Sequence, residues 1–383
     1  MLGDTRRILS DLIAFPTVSS DGNLELIAYA GAALDALGIQ TRTTLDATGS
    51  KANLFATIGP DVPGGVVLSG HTDVVPADGE WTDDPFTAVE RDGLIYGRGT
   101  CDMKGFIACA LAMAPVFAAA RLTRPVHLAF TYDEEVGCFG ARALMDALAD
   151  WEVKPATCII GEPTSMRIIE GHKGCYEYTT AFTGIPGHAS EPDRGVNAIA
   201  YAARFLAKLA ETGETMKVRA PEGSVFSPPW TTLQPGVIRG GTARNVIPDA
   251  CEVEWEMRPV TGADAAFALD RIRAFVDGEI APEMRGKHPD AGVVTHTVGE
   301  VDGLEPVPHS QALQLVRELT GGNSVDVVSF GTEAGLFQKV GISTVVCGPG
   351  SIEQAHKPDE FVALDQLQLC LDMLARLGCK LTA

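Results

Sequence analysis

Residues 65–76 read GVVLSGHTDVVP: a short apolar run, then a histidine and an acid just past its end. The run Gly65–Ser69 has the composition of a buried strand, and similar runs recur at Asn53–Ile58, Val126–Thr131 and Thr157–Ile160. Helical patterns lie around and between them, at Leu24–Leu37, Met103–Ala120 and Ala141–Leu148. Strands alternating with helices predict an α/β fold with a mainly parallel sheet covered on both faces. Ligands bind such sheets beyond the C-terminal ends of the strands. His71 and Asp73 are therefore the first candidate site residues, His71 to hold a metal and Asp73 to accept the hydrogen bond of its other ring nitrogen.

The pattern changes after Gly174. Cys251, Val253, Trp255 and Met257 alternate with Glu252, Glu254 and Glu256, as in a half-solvated antiparallel strand. Cys175–Phe182 has a related alternation, and further strands are expected near Gly236 and Val293. One amphipathic helix carries Val196, Ile199, Ala203 and Leu206; another carries Ala266, Leu269, Ile272 and Val276. The order strand-helix-strand-strand-helix-strand predicts a ferredoxin-like α+β unit. Beyond about residue 300 the α/β character returns, with helices at Ser310–Leu319 and Leu364–Leu377 and a strand at Ser343–Cys347. The expected organisation is a domain of residues 1–174 and 300–383 interrupted by an inserted domain, 175–299. A chain of 383 residues is long enough for two cores.

A formal net charge of −20 argues against nucleic acid as a partner, because a phosphate backbone is repelled. The longest apolar stretch, Gly105–Ala120, is short for a membrane span and contains Pro115. The opening MLGDTRRILSDLIAF spaces its apolar residues as a helix does and lacks a signal peptide's apolar block. Nine cysteines without a CxxC pair fit a reducing compartment. The expectation is a cytoplasmic protein with no membrane partner.

Four more residue sets stand at or near strand ends. GRGTCDMKG (97–105) places Asp102 at the opening of a helix, where an ordinary aspartate caps. Cys101 beside it is read as a packing residue. TYDEEVGCFG (131–140) sets three acids after a buried strand, which is costly unless a cation or solvent meets them. Glu134 and Glu135 point apart and can divide the tasks of base and ligand. GEPT puts Glu162 at the end of the next strand, and GPGSIEQAHKPDEF (348–361) puts His356 in a Gly/Pro-rich loop. Each alone has an ordinary explanation: a capping residue, a solvated turn, a loop histidine. Together they form a coherent donor set for two Zn²⁺ ions sharing one carboxylate, with Co²⁺ able to substitute.

HTDVVP, GRGTCDMKG, DEEVG, GEPT, GHAS and GPGSIEQAHKPDE, in this order, resemble the dizinc aminoacylase/carboxypeptidase family along essentially the whole chain. The resemblance implies a dizinc catalytic domain carrying an inserted lid and dimerisation domain. It implies that His71 and Glu162 hold one zinc, Glu135 and His356 the other, and that Asp102 bridges them. Glu134 becomes the general base and Asp73 the carboxylate that orients His71. Glutamate at the Glu162 position accompanies deacylases and carboxypeptidases in the family. In the lid, PGHASEPDRGVNAI implies that His188 helps form an oxyanion site, usually across a homodimer interface. GGTARNVIPD and EMRP implicate Asn245 and Arg258 in holding a substrate carboxylate. FGTEAGLF and GPGSIEQAHKPDEF are most similar to the members that convert N-acetyl-L-ornithine to L-ornithine and acetate in arginine biosynthesis. Desuccinylation of succinyl-diaminopimelate, deacetylation of N-acetyl-diaminobutyrate and broad aminoacylase action stand as alternatives, as does a catalytically dead dimeric scaffold. Glu333 either pairs with a substrate ammonium or is a structural carboxylate.

Overall fold

A computed structural model describes residues 1–149 and 154–382. It divides into two compact units: Met1–Gly171 with Pro306–Val327 and Thr332–Ala383, and His172–Glu305 with Val328–Gly331. The inserted unit extends past residue 299 because its last strand runs on to Val301.

The first unit opens with α1 (Leu2–Ile13), α2 (Leu24–Asp35), β1 (Thr41–Leu45), β2 (Ala52–Ile58), β3 (Val66–His71), β4 (Val89–Arg91) and β5 (Leu94–Tyr96). It continues through α3 (Gly105–Ala119), β6 (Val126–Thr131), α4 (Phe139–Ala149), β7 (Thr157–Pro163) and β8 (Ile168–His172). The second unit contains β9 (Cys175–Thr183), α5 (Ala198–Val218), β10 (Thr232–Gly240), β11 (Ala250–Arg258), α6 (Gly262–Phe275), α7 (Ala281–Lys287) and β12 (Gly292–Val301). The chain then forms α8 (Gln311–Thr320), β13 (Val325–Val328), α9 (Ala334–Lys339), β14 (Ser343–Gly348), β15 (Phe361–Ala363) and α10 (Leu364–Lys380).

The main sheet has the order β1-β2-β6-β3-β7-β14-β8-β13. Its centre, β6-β3-β7-β14, is parallel, and antiparallel pairs flank it at β1-β2, β2-β6 and β14-β8. The central strands are buried throughout, as strands covered on both faces must be. Register aligns His71 with Thr131, so the two motifs that follow β3 and β6 emerge at the same edge of the sheet. The α3 helix is apolar on every side and packs against α1 and α10, which makes it a core helix and not an amphipathic one.

The helix that Asp102 was expected to open begins later. Thr100–Lys104 form a wide turn in which Asp102 has φ −121° and ψ 86°, outside the helical region, and α3 starts at Gly105. Asp102 is thus no cap. Its side chain is released from that role and is free to face the strand ends.

The second unit is a four-stranded antiparallel sheet in the order β10-β11-β9-β12, a ferredoxin-like arrangement. Along β11 the alternation works as the sequence predicts: Cys251, Val253, Trp255 and Met257 are buried. Trp255 stacks on Tyr178 at 4.4 Å between ring centroids, and its indole N–H donates to Thr180 Oγ1 at 3.0 Å. Asn197 and Thr261 begin α5 and α6 by accepting from the backbone N–H three residues on.

Candidate active site

Five segments of the first unit converge at the sheet's C-terminal edge. His71 stands at the end of β3, Glu162 near the end of β7, and Glu134 and Glu135 in the turn after β6. Asp102 comes from the turn before α3, and His356 from the loop after β14. Two groups result, His71–Asp102–Glu162 and Asp102–Glu135–His356, each with its donor atoms within 4.8 Å of one another. Asp102 belongs to both. Its Oδ1 lies 3.1 Å from His71 Nε2, and its Oδ2 lies 3.2 Å from His356 Nε2. Glu162 Oε1 is 3.7 Å from His71 Nε2, and Glu135 Oε2 is 3.2 Å from His356 Nε2.

The tautomer of His71 follows from its surroundings. Its Nδ1 is 2.9 Å from the main-chain oxygen of Asp73, which can only accept, so Nδ1 carries a proton and Nε2 is the nitrogen that faces Asp102 and Glu162. The expected partner was the Asp73 carboxylate, which is farther away at 3.7 Å. That carboxylate is engaged elsewhere: it accepts from Ser19 Oγ at 2.8 Å and from the backbone N–H groups of Glu134 and Glu135 at 3.1 and 3.3 Å. Asp73 therefore orients His71 through its carbonyl and fixes the acidic turn through its side chain. Asp133, at φ 55°, completes that turn, with Lys51 Nζ donating to its carboxylate at 2.6 Å and to the Ser19 carbonyl at 2.5 Å.

Burial and the neighbouring carboxylates together determine the electrostatics. Burial pushes the Glu134 and Glu162 carboxyls well above their ordinary range, and His71 only partly offsets this. At Asp102, burial is outweighed by hydrogen bonds to His356 and His71, which hold its carboxyl low. Hydrogen bonds to Asp102 and Glu135 raise His356 to about 10. Glu162 Oε1 is buried and finds no hydrogen-bond partner among the described residues. An orphaned carboxylate oxygen is costly in such a place, and the surrounding set of two imidazoles and three carboxylates suits a borderline divalent cation such as zinc. The residues present fit the metal that the sequence implies.

Other predicted residues lie elsewhere. His188, Asn245 and Arg258 belong to the second unit. There His188 is exposed, with Nδ1 2.7 Å from Ser190 Oγ, and its backbone bridges to Val246. The Asn245 carbonyl accepts from Ala189 N–H at 3.0 Å, so the His188 and Asn245 segments lie side by side. Their chain neighbours Ala189, Arg244 and Val246 line a cleft of about 550 Å³ together with Asn197 and Ile247. Arg258 donates from Nε and Nη2 to Glu256. Glu333 is 1% exposed, with its two oxygens accepting from Ser69 Oγ at 2.5 Å and Thr131 Oγ1 at 2.8 Å. Both oxygens are thus engaged between β3 and β6, an arrangement that suits the structural carboxylate of the two alternatives. Cys101 is a buried packing residue with its thiol pushed up by burial.

Two carboxylate anchors escaped the sequence reading. Glu360, from the same loop as His356, is 1% exposed and accepts from Arg98 and from three backbone N–H groups of the Asp102 turn. Ser19 fixes Asp73 from more than fifty residues away. No local pattern announces such long-range contacts. The one available sign for Glu360 was a further acid in a loop already carrying a candidate ligand.

Residues 67–379 match the model of a family described as Peptidase family M20/M25/M40. The chain is 37% identical to an acetylornithine deacetylase of Myxococcus xanthus over 376 residues, 97% of this chain and 96% of the relative. It is 35% identical over 379 residues to an acetylornithine deacetylase of Pasteurella multocida strain Pm70, with the same coverage of each chain, 97% and 96%. Among solved structures it is similar to an aminopeptidase from Bacillus cereus, with a TM-score of 0.75, 20% identity and 98% of both chains covered. It is also similar to a M20 family metallo-carboxypeptidase from Sulfolobus solfataricus, with a TM-score of 0.73, 17% identity and 99% of both chains covered. The solved structures speak for the fold. The sequence match spans most of the length, and the chain belongs to the peptidase family M20/M25/M40.

Proposed function

We propose that this chain is a metal-dependent amidohydrolase that releases L-ornithine and acetate from N-acetyl-L-ornithine, as arginine biosynthesis requires. The observation that carries the reaction type is the pair of donor groups sharing Asp102, with Glu134 beside them. The choice of substrate rests on the likeness to acetylornithine deacetylases at 35–37% identity over nearly the full length.

His71, Asp102 and Glu162 would hold one zinc ion and Asp102, Glu135 and His356 a second, which when bound would supply Lewis acidity and acidify a water towards neutrality. Glu134 removes a proton from the attacking water as its oxygen bonds to the amide carbon. It returns that proton to the leaving nitrogen as the C–N bond breaks, and the second proton of the water passes from the new carboxyl to the amine, so acetate and an ammonium result. His188 donates to the developing oxyanion, and Asn245 and Arg258 hold the substrate carboxylate. The resemblance of the lid segments supports these roles and a homodimer in which His188 serves a partner's site. Nine free cysteines suit a cytoplasmic setting.

The test is a panel of N-acetyl-L-ornithine, N-succinyl-diaminopimelate and N-acetyl-L-methionine, assayed with the zinc-loaded protein and again after chelation. N-acetyl-L-ornithine is expected to have the highest kcat/KM, with all turnover lost on chelation. Preference for either of the others reassigns the substrate, and turnover by demonstrably metal-free protein removes the mechanism.

A further inference from the structure

Glu360 has no part in the mechanism above, yet it is among the most completely engaged carboxylates in the first unit. Its Oε2 accepts from Arg98 Nη1 at 2.7 Å and from Gly99 N–H at 3.0 Å. Its Oε1 accepts from the N–H groups of Cys101 at 3.0 Å and Asp102 at 3.2 Å. These donors need an external acceptor, because the Asp102 turn departs from helical geometry before α3 starts. Buried N–H groups without partners are costly, and here one carboxylate satisfies three.

The location matters more than the number. Glu360 lies four residues beyond His356 and at the foot of β15. One carboxylate thus links the backbone of Asp102, common to both donor groups, to the loop that carries His356. Arg98 extends the link, donating also to the carbonyls of Pro76 and Lys357. Partners of this kind govern where a ligand's donor atoms can sit, and removing them weakens a metal site without removing a ligand.

We infer that Glu360 is a positioning residue that fixes Asp102, and through it both metal sites together. The inference rests on the two-metal reading above. Glu360→Gln keeps the shape and loses the charge that holds Arg98 and the three N–H groups. Chelator-stripped wild type, Glu360→Gln and Glu162→Gln are titrated with Co²⁺ and followed by visible absorption. In Glu360→Gln both equivalents are expected to bind about 10- to 100-fold more weakly, whereas in Glu162→Gln only one does. Wild-type affinity for both equivalents in folded Glu360→Gln overturns the proposal, as does weakening of one alone. Amide hydrogen exchange of the stripped wild type is independent of whether the variant folds. Protection at Gly99, Cys101 and Asp102 is expected there, and fast exchange at all three beside a protected core also overturns it. If wild type takes up a single equivalent, the two-metal reading fails, and the Glu360→Gln affinity for that equivalent still tests the positioning role.

Discussion

Glu134 and Glu135 are neighbours in sequence with different partners. Glu135 faces His356 at 3.2 Å, while Glu134 Oε1 accepts from the Cys138 thiol at 3.6 Å. Glu134→Ala is therefore expected to retain its metal by elemental analysis and lose about 10²- to 10⁴-fold in kcat. Glu135→Ala is expected to lose metal. The reverse pattern would mean that the two roles are exchanged. Glu333→Gln bears on specificity: with Glu333 closed off by Ser69 and Thr131, the ratio of kcat/KM for N-acetyl-L-ornithine over N-acetyl-L-methionine should stay at the wild-type value. Collapse of that ratio would restore Glu333 to substrate selection. The candidate ligands could be picked out at this scale because histidines and acids recur at strand ends or in the Gly-rich turns and loops between elements. The division of Asp73 into carbonyl and carboxylate could not, since it depends on a backbone turn and on Ser19, far away in sequence.

Strands and helices were legible where burial repeats along the chain. The central strands are buried throughout, α3 is apolar from end to end, and β11 alternates cleanly. The edge strand β1, TRTTL, has no such pattern and was missed, as were β4 and β5. The last two form a hairpin whose sign was present in the sequence: Asp92-Gly93, with φ 51° and 79°, is a dipeptide that favours a tight turn with positive φ. Within β6, His127 is a buried histidine outside the site. Its Nδ1 pairs with Thr57 Oγ1 at 3.0 Å and its ring lies 5.3 Å from Phe55. Burial lowers its pKa from 6.5 to about 4. The unfolded chain thus takes up this proton first, so the group's stability contribution is complete above about pH 6.5 and declines as pH falls towards 4. A shift of this size corresponds to about 3 kcal/mol. Urea midpoints measured from pH 7 down to 4.5 should fall more steeply for wild type than for His127→Phe. Parallel slopes would show that His127 is not the group responsible.

For the whole molecule, the base and the proposed oxyanion donor lie in different compact units, Glu134 in the first and His188 in the second. If His188 serves a partner's site, two inactive variants should complement each other. Mixing His188→Ala with Glu134→Ala under verified subunit exchange places both substitutions in one site of the mixed dimer and leaves the other intact. Activity is expected to reappear on mixing. No recovery after proven exchange would confine His188 to its own chain's site or remove it from the reaction. The two-unit organisation was legible because hydrophobic periodicity changes character at the insertion. Pairing between units or copies leaves no comparable imprint on a single sequence.

The sheet order has a consequence for how the chain is made. β14 lies between β7 and β8, yet it is synthesised after the whole inserted unit. While the ribosome is still producing that insert, β7 lacks its β14 neighbour, and the candidate group of Asp102 and Glu135 still lacks His356. The nascent catalytic unit must keep an open sheet edge until its last segments emerge. Such late, distant pairing makes folding slow and exposes intermediates to aggregation. The inserted unit is contiguous apart from Val328–Gly331 and can close its own sheet earlier. The Asp102–Glu135–His356 group is therefore completed only after the insert, whereas His71, Asp102 and Glu162 all precede it, and a ribosome stalled before His356 would leave a chain with a formed insert and only one of the two donor groups whole.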